Sequence, residues 1–300
     1  MDISRLTEYC TQHNCRFDCN HPLAQHTTMK IGGECDILIK ARDEQTLCDI
    51  LGLCREIGLP VFILGRGSNV LVSDKGWHGC VIMLADELAQ ISAEGCTITA
   101  YAGASLAGVC RAALENGLTG LEFAYGIPGS VGGALYMNAG AYGGEMSDIV
   151  VSARYIDENG RVCEISRDEM QLSYRHSFFS GKKCVILSVN MLLAQGDRSA
   201  ISARMNELMQ KRRDKQPLEY PSCGSTFKRP EGYFAAALIE QCGLKGLRFG
   251  GAMVSEKHSG FVINRDNATF DDVMAVVNEV KRVVKQQKGV ELECEMLILE

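Results

Sequence analysis

The glycine-dense stretch from Gly126 to Gly144 constrains the fold more than any other part of the chain. It reads Gly-Ile-Pro-Gly-Ser-Val-Gly-Gly-Ala-Leu-Tyr-Met-Asn-Ala-Gly-Ala-Tyr-Gly-Gly and lacks the Ser, Lys and Glu content of a solvated linker. Glycine lets the backbone approach a neighbouring group closely and adopt positive φ. The stretch therefore favours a flat ligand lying against the backbone. The alternative is a set of tight turns at the corners of a sheet.

The size and charge of the chain narrow the class of protein. It has 300 residues, 46% of them hydrophobic, and a formal net charge of −6, which suits two or three closely packed subdomains. Nucleic-acid-binding domains usually carry a basic excess, so we expect no nucleic-acid partner. No apolar run approaches the roughly 18 residues of a membrane span, and no apolar signal sequence follows the first residues. We therefore expect a cytoplasmic protein without membrane association.

Fourteen cysteines raise the question of disulfides or a metal site. Most of them lie inside apolar runs, as Cys80 and Cys184 do, which predicts reduced thiols in the core. The tightest group of metal-ligating residue types is His13, Cys15, Cys19 and His21. Its spacing matches no usual zinc motif, so we expect no bound metal.

Hydrophobic periodicity indicates that the N-terminal part of the chain has an α/β structure. Apolar residues recur at helical intervals between Arg42 and Gly58, and Gly58-Leu59-Pro60 ends that pattern. Short apolar segments at 35–39 and 61–64 flank this helix. The order predicts a strand, helix, strand unit with a right-handed crossover.

The middle and the end of the chain also mix strands with helices. Residues 97–101 alternate as a strand does, and Ser105 is placed to cap a helix that ends near Asn116. Residues 150–163 predict two strands joined by a turn. Further predicted elements are a strand at 184–193, a helix ending near Arg213, a valine-rich helix closed by Gly289, and a strand at 290–299. The hinge Gln195-Gly196-Asp197 predicts a domain boundary.

A second glycine turn lies between two apolar segments. It reads Gly65-Arg66-Gly67-Ser68-Asn69, and consecutive N–H groups at such a turn can bind an anion such as a diphosphate. The turn lacks the third glycine and the following helix of a Rossmann fingerprint, and no Walker P-loop exists in the chain. A simple tight hairpin is the alternative.

The segment from Pro221 to Pro230 combines a turn, hydroxyls and cations. It reads Pro-Ser-Cys-Gly-Ser-Thr-Phe-Lys-Arg-Pro, and no Gly-x-Ser-x-Gly elbow supports hydrolase chemistry. Ser225 is therefore interpreted as a proton donor or an anchor. The alternative is a surface turn in which the serine caps the next segment.

Together with Tyr174–Ser177, Ser255–Phe261 and Leu292–Glu295, these stretches resemble the UDP-N-acetylenolpyruvoylglucosamine reductase family from about residue 27 to the last strand. The resemblance implies an α/β (α+β) fold. It comprises a two-subdomain FAD-binding module of the vanillyl-alcohol-oxidase (PCMH) type and a C-terminal α/β substrate-binding domain. We predict the divisions 1–84, 85–195 and 196–300, with the option that the last strand returns to the FAD-binding module.

The resemblance also implies the reaction. NADPH would reduce FAD, and FAD would reduce UDP-N-acetylglucosamine enolpyruvate to UDP-N-acetylmuramate in peptidoglycan precursor synthesis, with ping-pong kinetics. FAD would be noncovalent, since the turn at residues 65–72 has no flavin-linking histidine. The shorter subtype and a monomer or weak homo-oligomer are expected. The alternatives are a flavin oxidase of the same fold acting on an alcohol or hydroxy acid, and a non-catalytic nucleotide-binding regulator.

The family's catalytic positions fall on Arg175, Ser225 and Glu295. A cation suits the negative charge that develops at C2 and its carboxylate, a hydroxyl suits protonation of C2, and Glu295 would orient the carboxylate region. Tyr142 and Lys228 are expected to bind substrate. The residues expected to bind FAD are Gly65, Arg66, Gly67, Ser68, Asn69, Ile127, Pro128, Gly129, Ser130, Gly132, Gly133, Asn138, Ala141 and Arg212.

Two positions depart from the family pattern. The family usually has proline before the catalytic glutamate and arginine two residues after it, whereas this chain has Cys294 and Leu297. This chain therefore lacks the side chain that would make the arginine's contact near the flavin or substrate. Without the resemblance, Arg175 would be interpreted as part of a surface ion pair and Glu295 as a solvated strand residue.

Overall fold

The structure is a computed structural model that describes residues 3–300, and helices and strands alternate along it. The helices are α1 (Ser4–Gln12), α2 (Glu44–Glu56), α3 (Leu106–Glu115), α4 (Val131–Tyr136), α5 (Arg198–Lys215), α6 (Ala235–Gln241) and α7 (Phe270–Lys288). Short 3₁₀ segments cover Leu23–His26, Asp86–Ala89, Glu122–Ala124, Met146–Asp148 and Arg167–Met170.

The strands of the N-terminal half are β1 (Arg16–Pro22), β2 (Glu34–Ala41), β3 (Val61–Ile63), β4 (Val70–Val72), β5 (Trp77–Leu84), β6 (Ile91–Glu94), β7 (Thr97–Tyr101), β8 (Leu118–Thr119), β9 (Gly140–Ala141) and β10 (Gly144–Glu145). Those of the C-terminal half are β11 (Val150–Ile156), β12 (Val162–Ser166), β13 (Val185–Leu192), β14 (Ala194–Gln195), β15 (Arg248–Phe249), β16 (Ala252–Val254), β17 (Val262–Asn264) and β18 (Leu297–Leu299).

Three sheets organise these strands. The first has the order β1-β2-β5-β3, and the second is the antiparallel sheet β12-β11-β13-β7-β6. The third is the antiparallel meander β15-β16-β17. Two-stranded pairs complete the set, and one of them joins β18 to β4 in parallel.

The predicted helix ends are confirmed by their caps. The Asp43 side chain accepts the N–H of Thr46 at 2.8 Å at the start of α2, and Ser105 Oγ accepts the N–H of Gly108 at 3.1 Å at the start of α3. Helix α7 begins with a capping box at Thr269 and ends at Gly289, whose φ is 70°. These local signals place the helices where the sequence predicts them.

Two compact units are present. Unit 1 comprises residues 3–19, Asp36–Arg66 and Gly79–Lys211. Its two apolar clusters pack the five-stranded sheet against α3 and α4, and the four-stranded sheet against α1 and α2. Burial of these faces provides most of the driving force for folding, at roughly 25 cal/mol per Å² of apolar surface.

Unit 2 comprises Asn20–Cys35, Gly67–His78 and Arg212–Glu300. The valine face of α7 packs on the β15-β16-β17 sheet, and Val273, Val276, Val277, Val280 and Val284 are fully buried. The divisions at residues 84 and 195 stay a prediction. No helix within residues 3–300 combines the length and the apolarity needed to cross a bilayer.

Two sequence expectations need correction. The C-terminal strand is shorter than predicted: β18 covers Leu297–Leu299, and Cys294 makes only an isolated bridge to Phe227. The tight-hairpin alternative for residues 65–69 is wrong, because β3 pairs with β5 whereas β4 pairs with β18. The glycine turn therefore passes the chain from one sheet to another.

Candidate active site

The turn at residues 65–69 combines close packing with unused backbone donors. Gly67 has a φ of 59°, and a Cβ there would lie 2.0 Å from the carbonyl oxygen of His26, so glycine is required at this position by the protein itself. Among the described residues, no backbone carbonyl accepts an N–H from residues 65–69. Consecutive unpaired N–H groups fit an anionic group such as a diphosphate.

The two glycine stretches meet within unit 1. A Cβ on Gly65 would lie 2.5 Å from Ser130 Oγ, and Ser130 caps α4 by accepting the N–H of Gly133 at 3.3 Å. Gly132 is accounted for by packing, because its N–H donates to Ala102 O at 2.9 Å and a Cβ there would lie 2.8 Å from Ala102 Cβ. The predicted FAD contacts of these glycines stay predictions.

Tyr142 lies at the tip of a strained hairpin. Strands β9 and β10 pair in antiparallel fashion around Tyr142 and Gly143, whose φ values are 54° and 89°. Two positive φ values define a type I′ turn, a conformation that suits Asn or Gly and strains tyrosine. Tyr142 is 41% exposed, and its predicted role in substrate binding stays a prediction.

Asn138 is fully buried and connects two loops. Its φ is 41°, its Nδ2 donates to Ser173 O at 3.1 Å, and its Oδ1 accepts the N–H of Ser147 at 2.9 Å. The amide therefore ties the loop after α4 to the loop that carries Arg175. This arrangement accounts for a buried polar side chain at this position.

Arg175 occupies the third position of a four-residue turn. Ser173 and His176 exchange two backbone hydrogen bonds of 3.1 Å, and the φ of Arg175 is 55°. A side chain at positive φ is strained by about 1 kcal/mol, and such strain is common at functional sites. The half-buried guanidinium lies 5.0 Å from the centroid of the Tyr174 ring. Ser177 Oγ donates to Tyr136 O at 2.7 Å and fixes the chain after the turn.

Ser225 and Glu295 are neighbours in unit 2 although 70 positions separate them. The segment that follows Ser225 pairs with the segment that contains Glu295. The N–H of Glu295 donates to Thr226 O at 2.9 Å, and the N–H of Lys228 donates to Glu293 O at 2.9 Å. Both Ser225 and Glu295 are half-buried, so each can reach a ligand.

Asn69 joins the same part of unit 2. Its Nδ2 donates to Glu295 O at 3.1 Å, and its own carbonyl accepts the N–H of Leu297 at 2.9 Å. Leu297, which replaces the usual arginine of the family, begins β18 and is 36% exposed. The structure therefore places the end of the predicted diphosphate turn beside the predicted catalytic glutamate.

The buried Cys223 and the half-buried His258 lie on the Ser225 segment and on a segment that pairs with it. Burial raises the pKa of Cys223 to about 12, so its thiol stays protonated and donates to Val70 O at 3.2 Å. Burial lowers the pKa of His258, which therefore stays neutral near pH 7 and accepts the N–H of Gly260 on Nδ1 at 3.2 Å.

The side chains of two further predicted residues, Lys228 and Arg212, have surroundings of their own. Lys228 Nζ is 3.3 Å from Glu293 Oε2 in an exposed pair, which contributes little to stability. Arg212 lies in the last turn of α5, close to Gln216, whose Oε1 is buried without a hydrogen-bond partner. Within residues 3–300, no group of three or more metal-ligating side chains could hold a metal ion.

Comparison with known proteins identifies the family. The description "FAD binding domain" matches residues 35–166, and "UDP-N-acetylenolpyruvoylglucosamine reductase, C-terminal domain" matches residues 216–299. A curated UDP-N-acetylenolpyruvoylglucosamine reductase of Clostridium perfringens is 49% identical, over 98% of this chain and 96% of that protein. The chain belongs to the UDP-N-acetylenolpyruvoylglucosamine reductase family.

Further relatives of the UDP-N-acetylenolpyruvoylglucosamine reductase family agree. The reductase of Caldanaerobacter subterraneus is 48% identical over 93% of this chain and 92% of its own length. The crystal structure of the Thermus caldophilus reductase superposes with a TM-score of 0.82 at 32% identity, covering 95% of this chain and 99% of that one. The predicted fold class, the FAD dependence and the oxidoreductase class are confirmed, and the oxidase alternative is less well supported.

The sequence did not predict the residues that hold the site in place. Thr226 is 1% exposed, and its hydroxyl accepts the N–H of Val262 at 2.9 Å. Thr28 Oγ1 donates to Ser222 O at 2.6 Å. Both threonines make contacts between segments distant in sequence, and nothing in local periodicity indicates such partners. The adjacency of Thr226 to Ser225 is the one signal that was present.

Proposed function

We propose that this chain catalyses the NADPH-dependent reduction of UDP-N-acetylglucosamine enolpyruvate to UDP-N-acetylmuramate. The observation that supports the proposal is the pairing of the Ser225 segment with the Glu295 segment in a chain of this family. Ser225 and Glu295 are both half-buried and lie on the two paired segments, so a hydroxyl and a carboxylate are both available to a bound substrate there. Lys228 and the exposed Tyr142 are proposed to bind the substrate.

Noncovalently bound FAD supplies the two-electron carrier between NADPH and the C3 carbon of the enolpyruvyl group. We propose that the unused N–H groups of residues 65–69 hold its diphosphate and that residues 127–142 line its ring. The open donors of the turn fit that role. Asn138 would contribute only backbone to the lining of the ring, because its side chain is fully buried and hydrogen-bonded to the backbone of two other residues. Arg212 is proposed as a further FAD contact.

Arg175 is proposed to stabilise the negative charge that develops at C2 and its carboxylate when hydride adds to C3. A fixed guanidinium lowers the barrier only if this charge is larger in the transition state than in the substrate, as it is here. The strained turn fixes the backbone of Arg175 before substrate arrives, so little reorganisation is needed.

Ser225 is proposed to donate its proton to C2, which completes addition of hydride and proton across the double bond. A free serine hydroxyl is a very weak acid, so nearby charge must assist it. Glu295 is proposed to orient the carboxylate region of the substrate. The backbone hydrogen bond between Thr226 and Glu295 keeps the two segments paired.

We propose a cytoplasmic enzyme of peptidoglycan precursor synthesis that is a monomer or weak homo-oligomer and binds neither nucleic acid nor membrane. Its net charge of −6 supports the absence of nucleic-acid binding. Sedimentation of the holoprotein at several concentrations tests the oligomeric state.

The two half-reactions of Ser225→Ala test the proposal. We expect unchanged flavin reduction by NADPH, and reoxidation by the enolpyruvyl sugar nucleotide slowed by at least about 100-fold, the scale of a lost acid catalyst. Anaerobic stopped-flow absorbance of the flavin measures each step separately.

Ser222→Ala is the matched control, because it removes a half-buried hydroxyl from the same segment at a position with no proposed chemistry. Both of its half-reactions should match those of the wild type. Equal slowing of both half-reactions in Ser225→Ala would contradict the role of Ser225. Wild-type protein that takes up no FAD, or whose oxidised flavin is reduced by simple alcohols instead of by NADPH, would contradict the proposed reaction.

A further inference from the structure

Asn138 lies between two loops of unit 1 and contributes a hydrogen bond to each. Its side chain has no solvent exposure, Nδ2 reaches Ser173 O at 3.1 Å, and Oδ1 receives the Ser147 N–H at 2.9 Å. The sequence predicts an FAD contact for Asn138. In the structure, however, the carboxamide oxygen accepts a hydrogen bond from Ser147, and the carboxamide nitrogen donates one to Ser173.

Ser173 is the residue that ties this amide to Arg175. It is the first residue of the turn, and it closes the turn through two hydrogen bonds with His176. Arg175 lies two residues after Ser173, with a φ of 55° that the turn must impose. A displacement of Ser173 therefore changes the direction in which the Arg175 side chain leaves the backbone.

The other side of Asn138 is fixed just as firmly. Ser147 lies in the 3₁₀ segment Met146–Asp148, which begins with a capping box between Glu145 and Asp148. The N–H of Met146 also donates to Ala139 O at 3.0 Å. The hydrogen bonds of Asn138 thus connect the Met146–Asp148 segment to the turn that carries Arg175.

We infer that Asn138 is a positioning residue for Arg175, acting through the carbonyl of Ser173. This inference rests on the proposed function, because it assumes that Arg175 assists reduction of the substrate. A shift of about 1 Å in a catalytic group can slow a reaction by about 100-fold. Loss of the Asn138 amide should therefore affect the step that uses Arg175 and leave FAD binding unchanged.

Asn138→Gly is the test variant, since glycine tolerates the φ of 41° and removes both amide hydrogen bonds. We expect full FAD content, unchanged flavin reduction by NADPH, and reoxidation by the enolpyruvyl sugar nucleotide slowed by about 10- to 100-fold. Asn14→Gly is the matched control: Asn14 also has positive φ, at 53°, but is exposed, and both half-reactions should be normal.

A double-mutant cycle with Arg175→Ala distinguishes positioning from a general structural effect. If Asn138 acts through Arg175, adding Asn138→Gly to Arg175→Ala should slow reoxidation by less than about 2-fold more, whereas independent effects would multiply. Three results would overturn this inference and leave the proposed function intact. They are loss of FAD in Asn138→Gly, equal slowing of its two half-reactions, or fully multiplicative effects of the two substitutions. If Arg175→Ala itself is reoxidised at the wild-type rate, the proposed role of Arg175 fails first, and the inference fails with it.

Discussion

In unit 1 the turn that carries Arg175 depends on side-chain anchors outside the turn itself, whereas in unit 2 the segment that carries Ser225 combines side-chain anchors with backbone pairing to the Glu295 segment. Asn138 and Ser177 anchor the first region through their amide and hydroxyl groups. In the second region, the Thr226 carbonyl accepts the N–H of Glu295, and the N–H of Thr226 donates to the Gly260 carbonyl. Single substitutions can remove a side-chain anchor, but they leave a backbone ladder in place.

The two regions also differ in strain. Arg175 has positive φ, whereas Ser225 does not. A strained residue persists only where the surroundings determine its conformation, so the Arg175 turn depends on its anchors more than the Ser225 segment does. The comparison predicts that the oxidative half-reaction is sensitive to the scaffold around Arg175 and tolerant of changes in the scaffold around Ser225.

The largest expected effect is that of Arg175→Ala. Reoxidation of the reduced flavin by substrate should slow by about 10³-fold, because one fixed donor to a developing anion is lost. FAD content and reduction by NADPH should stay normal, as measured by absorbance and stopped flow. Arg175→Lys keeps the charge and serves as the control. Loss of FAD in Arg175→Ala would mean that this residue supports the cofactor or the fold instead.

We expect Thr226→Val to lower the stability of the protein while changing its activity little. The substitution leaves the buried N–H of Val262 without an acceptor, which costs about 2 kcal/mol of unfolding free energy. Urea titration of the holoprotein measures this loss. Since the backbone bonds of residue 226 remain, the rate of reoxidation should fall by less than about 10-fold. A collapse of reoxidation with normal stability would contradict the view that backbone pairing keeps the Ser225 segment in place.

The smallest expected effect is a difference in the free energy of unfolding between Arg175→Gly and Arg175→Ala. Both variants lack the guanidinium and should be equally slow. Glycine, however, relieves the strain of the positive φ, so Arg175→Gly should be the more stable by about 1 kcal/mol. Equal unfolding free energies in urea titrations would show that the turn imposes no strain.

Much of the fold follows from local signals in the sequence. The caps at Asp43, Ser105 and Thr269, and the C-terminal Gly289, set helix ends through contacts within a few residues. The alternation at residues 97–101 likewise places β7 where it lies. Local propensity and local hydrogen bonding are sufficient wherever both partners are close in the chain.

The candidate site depends on long-range contacts that the sequence alone does not reveal. The pairing of Thr226 with Glu295, the contact of Asn69 with Glu295, and the closeness of Gly65 to Ser130 each join distant segments. Family resemblance predicted the residues, but not which backbone groups hold them. A long-range contact also explains why the final strand is shorter than predicted. The residues before Leu297 pair with the Ser225 segment and do not join a regular sheet.

The parallel pairing of β18 with β4 has a consequence for biosynthesis. Among the described residues, β18 is the only strand partner of β4, and it comprises residues 297–299. During translation, Val70–Val72 must therefore wait for more than two hundred further residues, since Leu297 pairs with Val70. Such distant pairing closes slowly. The β18–β4 pair can form only after residues 297–299 have been translated and have left the ribosomal exit tunnel.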